Sequence, residues 1–330
     1  MSAPPPLPDP HALPAVLRRN ALRLRGGRSW LDALPDHFRA LLERWRLVHD
    51  PADAPWWAGH AGVVVPVRDA AGTPLALKVS LPEEDLRAEA WALRAWGGRG
   101  AVGLVQDDGG FSLLLERLVP GPGLGLLPVE ESVPVWGGIV RTLAVGEEDG
   151  WPRFERTSDV AERLGDGLPQ DWFELDRPVP RALLQAALER CQERGTLALR
   201  GGRPVLVHGD LHYFNVLARP AGGFAAIDPQ PYLGDAEFSV LPMLHNRLAE
   251  LPARNQGPAL EARMRALCAA AGLDVERARG WSIARAVEDV LWFTRHGLPG
   301  DAERSLWVAT ALAGLPLDNL PRAEQLAPLA

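Results

Sequence analysis

A mixed α+β chain, with a small β-rich N-terminal lobe and a larger helical C-terminal lobe, is predicted by three observations. The 330 residues suffice for about two domains. Short β-rich runs gather before residue 117, whereas the stretch from Phe238 to about Gly314 has the apolar periodicity of four helices. Between these regions Leu118 to Pro128 is rich in Gly and Pro, which favours a break rather than an element. The expected organisation is 1–117, a hinge at 118–128, and 129–330.

After a Pro-rich lead (Met1 to Pro6), Leu34 to Val48 reads as an amphipathic helix, with Leu34, Phe38, Leu41, Leu42 and Trp45 on one face. Gly62 to Arg68 is β-rich, Asp69-Ala70-Ala71-Gly72 supplies turn chemistry, and Leu75 to Ser80 returns as the second strand of a hairpin. Pro82-Glu83-Glu84-Asp85 starts a helix that stops at Gly97-Gly98. Two strands follow near Gly103–Gln106 and Phe111–Glu116. Helices are expected over Val133–Val145 and Pro180–Arg194, and Glu147 to Asp176 forms an acidic stretch between them. Short strands at Val205–Val207, Val216–Ala218 and Phe224–Ile227 complete the centre, and Pro242 lies in the first turn of a late helix.

Composition narrows the function. A net charge of −7 argues against a nucleic-acid binder that depends on phosphate neutralisation. Two cysteines cannot build a disulfide framework or a cysteine zinc site. No apolar run reaches the ~18 residues of a membrane helix. The lead has neither a basic nor an apolar signal region, so a soluble, cytoplasmic protein is expected.

The chain contains 34 arginines and a single lysine, Lys78. A position that keeps lysine against this bias suits a compact ammonium that a guanidinium fork cannot replace. Lys78 lies mid-strand among apolar neighbours, where it needs an anion. Glu89 falls inside the apolar stripe Leu86, Ala90, Leu93 and Trp96 of the next helix, so the two are expected to pair.

Asp210, Asn215 and Asp228 are oxygen-bearing side chains on loops between short strands. Asn215 and Asp228 suit Mg²⁺, which binds few protein groups and leaves positions for phosphate oxygens. Asp210 can then accept the proton of a hydroxyl aimed at a γ-phosphate. The three are expected to converge. A competing reading takes His208, Asp210 and His212, alternating on one strand face, as the metal ligands of a metallohydrolase. It leaves Lys78, Glu89, Asn215 and Asp228 without roles.

The run His208-Gly209-Asp210-Leu211-His212-Tyr213-Phe214-Asn215 resembles the catalytic loop of the aminoglycoside phosphotransferases. Ala226-Ile227-Asp228-Pro229-Gln230-Pro231-Tyr232-Leu233-Gly234-Asp235, continuing to Pro242-Met243-Leu244-His245-Asn246-Arg247, is similar to the streptomycin 6-kinase and hydroxyurea phosphotransferase branch. The resemblance spans about residues 20 to 315. It implies a two-lobe, protein-kinase-like fold and an ATP- and Mg²⁺-dependent kinase acting on a hydroxyl of a small molecule. It further implies that Lys78 meets the α- and β-phosphates and Glu89 orients it. Backbone groups from Glu116 to Leu118 would hold the adenine, Asp210 would be the base, Asn215 and Asp228 would hold Mg²⁺, and His208 and Asp235 would brace the loops. The chain departs from the family at Trp57 to Gly62, which has only two glycines over the expected phosphate position, and at Gln230 and Ser239. A non-catalytic kinase-fold nucleotide-binding module and a protein kinase are the remaining alternatives.

Residues Glu147 to Asp176 hold ten acids against three arginines, a local −7 that would favour a cationic acceptor. Asp166, Asp171, Glu174 and Asp176 are the candidates there, with Trp172 and Phe173 among them. Glu288, Asp289 and Trp292 share one stretch of helix and are expected to form an opposite wall, indole and carboxylate facing an amino or guanidino group.

Overall fold

A computed structural model describes residues 13–50, 56–59, 62–81, 86–195 and 203–327. The Pro-rich lead, the helix start at Pro82 to Asp85, and His60 and Ala61 lie outside them. The chain divides into two compact units, residues 1–122 with 217–227, and residues 123–216 with 228–330. Among the described residues no helix is long and apolar enough to cross a membrane.

The first unit opens with α1 (Ala15–Arg23) and α2 (Gly27–Arg44), then β1 (Val48–His49), β2 (Trp57–Ala58), β3 (Gly62–Arg68), β4 (Pro74–Ser80), α3 (Leu86–Trp96), β5 (Leu104–Asp107), β6 (Ser112–Glu116) and β7 (Val119–Gly123). An antiparallel sheet runs in the order β1-β3-β4-β6-β5, with β2 also on β3. Strand alternation sends Val63, Val65, Val67, Leu75, Leu77 and Val79 to one face. There they meet Leu17, Leu34, Phe38 and Leu41 of the two N-terminal helices in a single buried core. Lys78, one residue out of phase, stands on the opposite face. Its strand is central, so Lys78 lies opposite Val64 on one side and Leu113 on the other.

Two expectations change here. The helix placed at Leu34–Val48 begins at Gly27 and ends at Arg44, running through Pro35. Arg46 adopts a left-handed backbone (φ 54°), which ends the helix, and Val48 instead pairs with Arg68 of β3. Inside the Gly/Pro-rich 118–128 stretch, β7 forms and joins a small sheet in the order β11-β10-β7.

The remaining elements are α4 (Val129–Leu143), β8 (Glu155–Arg156), α5 (Thr157–Glu174), α6 (Arg181–Arg194), β9 (Val205–Val207), β10 (Val216–Ala218), β11 (Phe224–Ala226), β12 (Tyr232–Gly234), α7 (Leu241–Leu244), α8 (Gln256–Ala271), α9 (Val275–Arg295) and α10 (Pro299–Leu312). In the second unit α9 is central, burying Trp281, Ile283, Val287, Val290 and Leu291 on several faces, as an interior helix does. Beside it a three-stranded sheet runs β8-β12-β9. The acidic stretch is largely helix rather than a connection between helices. In α5 the buried residues Val160, Ala161, Leu164 and Leu168 keep helical spacing, while Gly165, Gly167 and Pro169 mask it in the sequence.

Candidate active site

In the first unit Lys78 Nζ donates to both carboxylate oxygens of Glu89, at 3.0 and 2.8 Å. The two residues keep only 8% and 5% of their surfaces exposed, so each supplies the charge that makes the other tolerable in the interior. Glu89 is the fourth residue of α3, in its first turn, which lets the helix present it to the strand face holding Lys78. Glu116, at the end of β6, is bound by Arg219 and accepts from the Gly103 amide at 3.1 Å. Arg219 also donates to the carbonyls of Gly98 and Ala101, fixing the loop between α3 and β5. Leu118 is buried just beyond.

In the second unit the loop after β9 is held by its backbone. Gly209 has φ 76°, and a Cβ there would lie 2.1 Å from the carbonyl oxygen of Gln230. The neighbouring His208, 1% exposed, accepts from the Gln230 amide at 2.9 Å through its carbonyl. Trp136 Nε1 donates to the Leu211 carbonyl at 3.1 Å, and Arg285 donates to the Gly209 carbonyl at 3.1 Å. Gly209→Ala is therefore expected to cost about 1–3 kcal/mol or more through strain alone. Thermal melting followed by circular dichroism checks it, and an unchanged midpoint would contradict the tight approach.

This loop aims Asp210. Asn215 donates from its amide nitrogen to the Asp210 carbonyl at 2.9 Å and to its carboxylate at 3.1 Å. His212 Nε2 lies 3.6 Å from the same carboxylate, while its Nδ1 accepts from the Phe214 amide. Burial raises the Asp210 carboxyl above the ordinary aspartate range and Asp228 adds to the rise, whereas His212, Arg285 and Asn215 oppose it. Asp228 thus lies within electrostatic reach of Asp210. It is exposed and sits on a left-handed backbone, φ 54°. Asp235 is held from two sides. Trp281 Nε1 donates to its carboxylate at 2.9 Å, and its amide donates to Thr157 Oγ1 at 3.2 Å. Gly234 beside it has no room for a Cβ, which would fall 1.9 Å from Thr157 Oγ1.

The donor set fits Mg²⁺. The Asn215 amide nitrogen is spent on Asp210, which turns its carbonyl oxygen the other way, and Asp228 is an exposed carboxylate; both are hard oxygen donors. The transition-metal arrangement of His208, Asp210 and His212 does not form. Among the described residues no group of three or more His, Cys, Asp or Glu side chains is placed to hold a metal.

The residues assigned to an acceptor are engaged with arginines. Arg295 of α9 bonds Asp171 at 2.6 Å and Glu174 at 3.2 Å, both on α5. Arg163 bonds Glu288 at 2.9 Å. Trp292 is half exposed, its ring stacked on His296 with centroids 3.9 Å apart. Sequence reasoning missed Arg285 and His245. Arg285 lies 76 residues from the carbonyl it binds, and His245 is buried near Asp289; no local pattern encodes either contact.

The family model described as aminoglycoside/hydroxyurea antibiotic resistance kinase matches residues 44–297. The chain is 37% identical over 312 residues to a hydroxyurea phosphotransferase of Kitasatospora aureofaciens, covering 92% of this chain and 86% of that protein. It is 34% identical over 295 residues to a streptomycin 6-kinase of Streptomyces glaucescens, covering 87% and 92%. Among solved structures the aminoglycoside phosphotransferase APH(4)-Ia superposes with a TM-score of 0.57 at 14% identity, over 84% of this chain and 97% of that one. That likeness gives a protein-kinase-like fold. With this fold, these relatives and a match over most of its length, the chain belongs to the aminoglycoside/hydroxyurea antibiotic resistance kinases.

Proposed function

We propose that this small-molecule kinase moves the γ-phosphoryl group of ATP to a hydroxyl of a cationic acceptor, with Asp210 as its base. The observation that carries the reading is the Asp210–Asn215 pair with Asp228 in its field, on a loop fixed by Gly209, Trp136 and Arg285. Lys78, steadied by Glu89, takes the α- and β-phosphate oxygens as a point charge. Backbone groups at Glu116 to Leu118 hold the adenine. Asn215 and Asp228 would hold Mg²⁺, which offsets phosphate charge when bound. Asp210 accepts the hydroxyl proton, and its raised affinity for protons suits that task. His208 and Asp235 keep the two loops in place.

The cationic acceptor is supported by the acid surplus of residues 147–176 and by the half-exposed Trp292. Asp171, Glu174 and Glu288 would reach it by exchanging an arginine for the incoming cation. Streptomycin and hydroxyurea, after which the two relatives are named, are the first acceptors to try, and the reaction is placed in the cytoplasm, where ATP is available. ADP release measured with streptomycin (a cation), hydroxyurea (neutral) and an anionic sugar acid tests the reading. Release with streptomycin is expected. Release with the anionic acceptor alone would defeat it.

A further inference from the structure

The two halves of the catalytic loop are held by different groups. Trp136, Arg285 and the Gln230 amide fix its first half. The second half is one tight turn of helix, Tyr213–Asn215, which delivers the Asn215 amide to Asp210. The Tyr213 ring is wholly buried, and its hydroxyl has no hydrogen-bond partner among the described residues. The polar group that meets this ring is the guanidinium of Arg247, whose central carbon lies 5.1 Å from the ring centroid.

All three nitrogens of that guanidinium are engaged. Nε and Nη2 bond the two carboxylate oxygens of Glu250 at 2.5 and 2.7 Å, and Nη1 donates to the Leu127 carbonyl at 2.7 Å. Arg247 therefore ties Leu127, which closes the short turn Leu124–Leu126, to the catalytic loop. Those two segments also touch directly. A Cβ on Gly125 would lie 3.4 Å from the Phe214 ring and 3.7 Å from Tyr213 Cβ.

The backbone of Arg247 is left-handed, φ 57°, a conformation that a residue with a side chain adopts at a cost. Neighbouring groups hold it there. Arg263 of α8, 9% exposed, donates to the carbonyls of Asn246 and Arg247 at 3.3 and 3.1 Å, and Asn246 Nδ2 donates to the Pro242 carbonyl at 2.8 Å. Strain that the surroundings over-determine in this way is a mark of functional placement. Here it aims one guanidinium at the loop that carries Asp210 and Asn215.

We propose that Arg247 is a positioning residue of the phosphotransfer site, which sets the Tyr213–Asn215 turn and through it the Asn215 oxygen and the Asp210 carboxylate. Arg247 acts through these two side chains, so its role rests on the parts assigned to them above. A lysine would keep the charge but not the planar fork that bonds Glu250 and Leu127 while lying on the ring.

The test is ATP binding to the full chain, followed by calorimetry with and without Mg²⁺, together with kcat. The proteins compared are the wild type, Arg247→Gly, Tyr213→Leu, the double variant and Asn215→Ala. Glycine suits the left-handed backbone, so Arg247→Gly removes the side chain without adding strain. It should bind metal-free ATP like the wild type, yet lose about 10- to 100-fold in Mg²⁺-ATP affinity or in kcat, the usual worth of a group that orients a metal ligand. The double variant should be no worse than the poorer single one, because both changes act through the same turn. Should Arg247→Gly not fold, Arg247→Lys carries the same test. Wild-type Mg²⁺-ATP affinity and kcat in the Arg247 variant, equal weakening with and without Mg²⁺, or fully additive losses in the double variant would each overturn the inference and leave the kinase reading intact. Unchanged Mg²⁺-ATP affinity and kcat in Asn215→Ala would instead remove the part assigned to Asn215, and this proposal with it.

Discussion

Asp210→Asn is expected to lower kcat by about 10²- to 10⁴-fold, the usual worth of a positioned general base. The substitution keeps the shape of the side chain and leaves the Asp210 backbone carbonyl to accept from Asn215 as before. It removes the charge that takes the hydroxyl proton. ATP affinity should change little, because the phosphates are assigned to Lys78 and to the metal held by Asn215 and Asp228. Steady-state kinetics with separate ATP and acceptor titrations check this. A loss expressed in the ATP KM, with kcat preserved, would move Asp210 out of the chemical step.

Lys78 should be the next most sensitive position. Lys78→Met removes the ammonium that bonds both Glu89 oxygens, and removing one member of a buried pair costs about 3–5 kcal/mol. The melting midpoint should therefore fall with the activity. Lys78→Arg separates the two effects, since it preserves the charge facing Glu89 but replaces three freely turning donors on one nitrogen with a planar fork. It should melt close to the wild type yet bind and use ATP at least about tenfold less well, the loss of about 1.4 kcal/mol of phosphate contact. In a chain that has otherwise exchanged lysine for arginine at every position, a fully active Lys78→Arg would show that no special contact retains it.

The Lys78–Glu89 and Asp210–Asn215 pairings were legible in the sequence because their signals are local. Strand alternation around Lys78, the helical phase of Glu89 and the five-residue spacing from Asp210 to Asn215 each lie within one element or one loop, and the short distances of both pairs agree with them. Legibility failed where contacts join distant elements. Helix α5 was hidden because two glycines and a proline interrupt the pattern formed by Val160, Leu164 and Leu168. The acids on it looked like a free negative field, yet Arg295, more than 120 residues away, closes on Asp171 and Glu174. The same limit hid Arg285 and His245. A helical period says which side of α9 is apolar, but not that Arg285 reaches the catalytic loop or that Asp289 meets a buried imidazole.

In the proposed reaction Asp210 activates an acceptor hydroxyl for phosphoryl transfer from ATP. This step is tested most directly by mass analysis of streptomycin after incubation with ATP, Mg²⁺ and either the wild-type protein or Asp210→Asn. One added phosphoryl group per acceptor is expected with the wild type, matched by one ADP per product, and almost none with Asp210→Asn at equal ATP occupancy. Phosphorylated product formed equally by both proteins would contradict it.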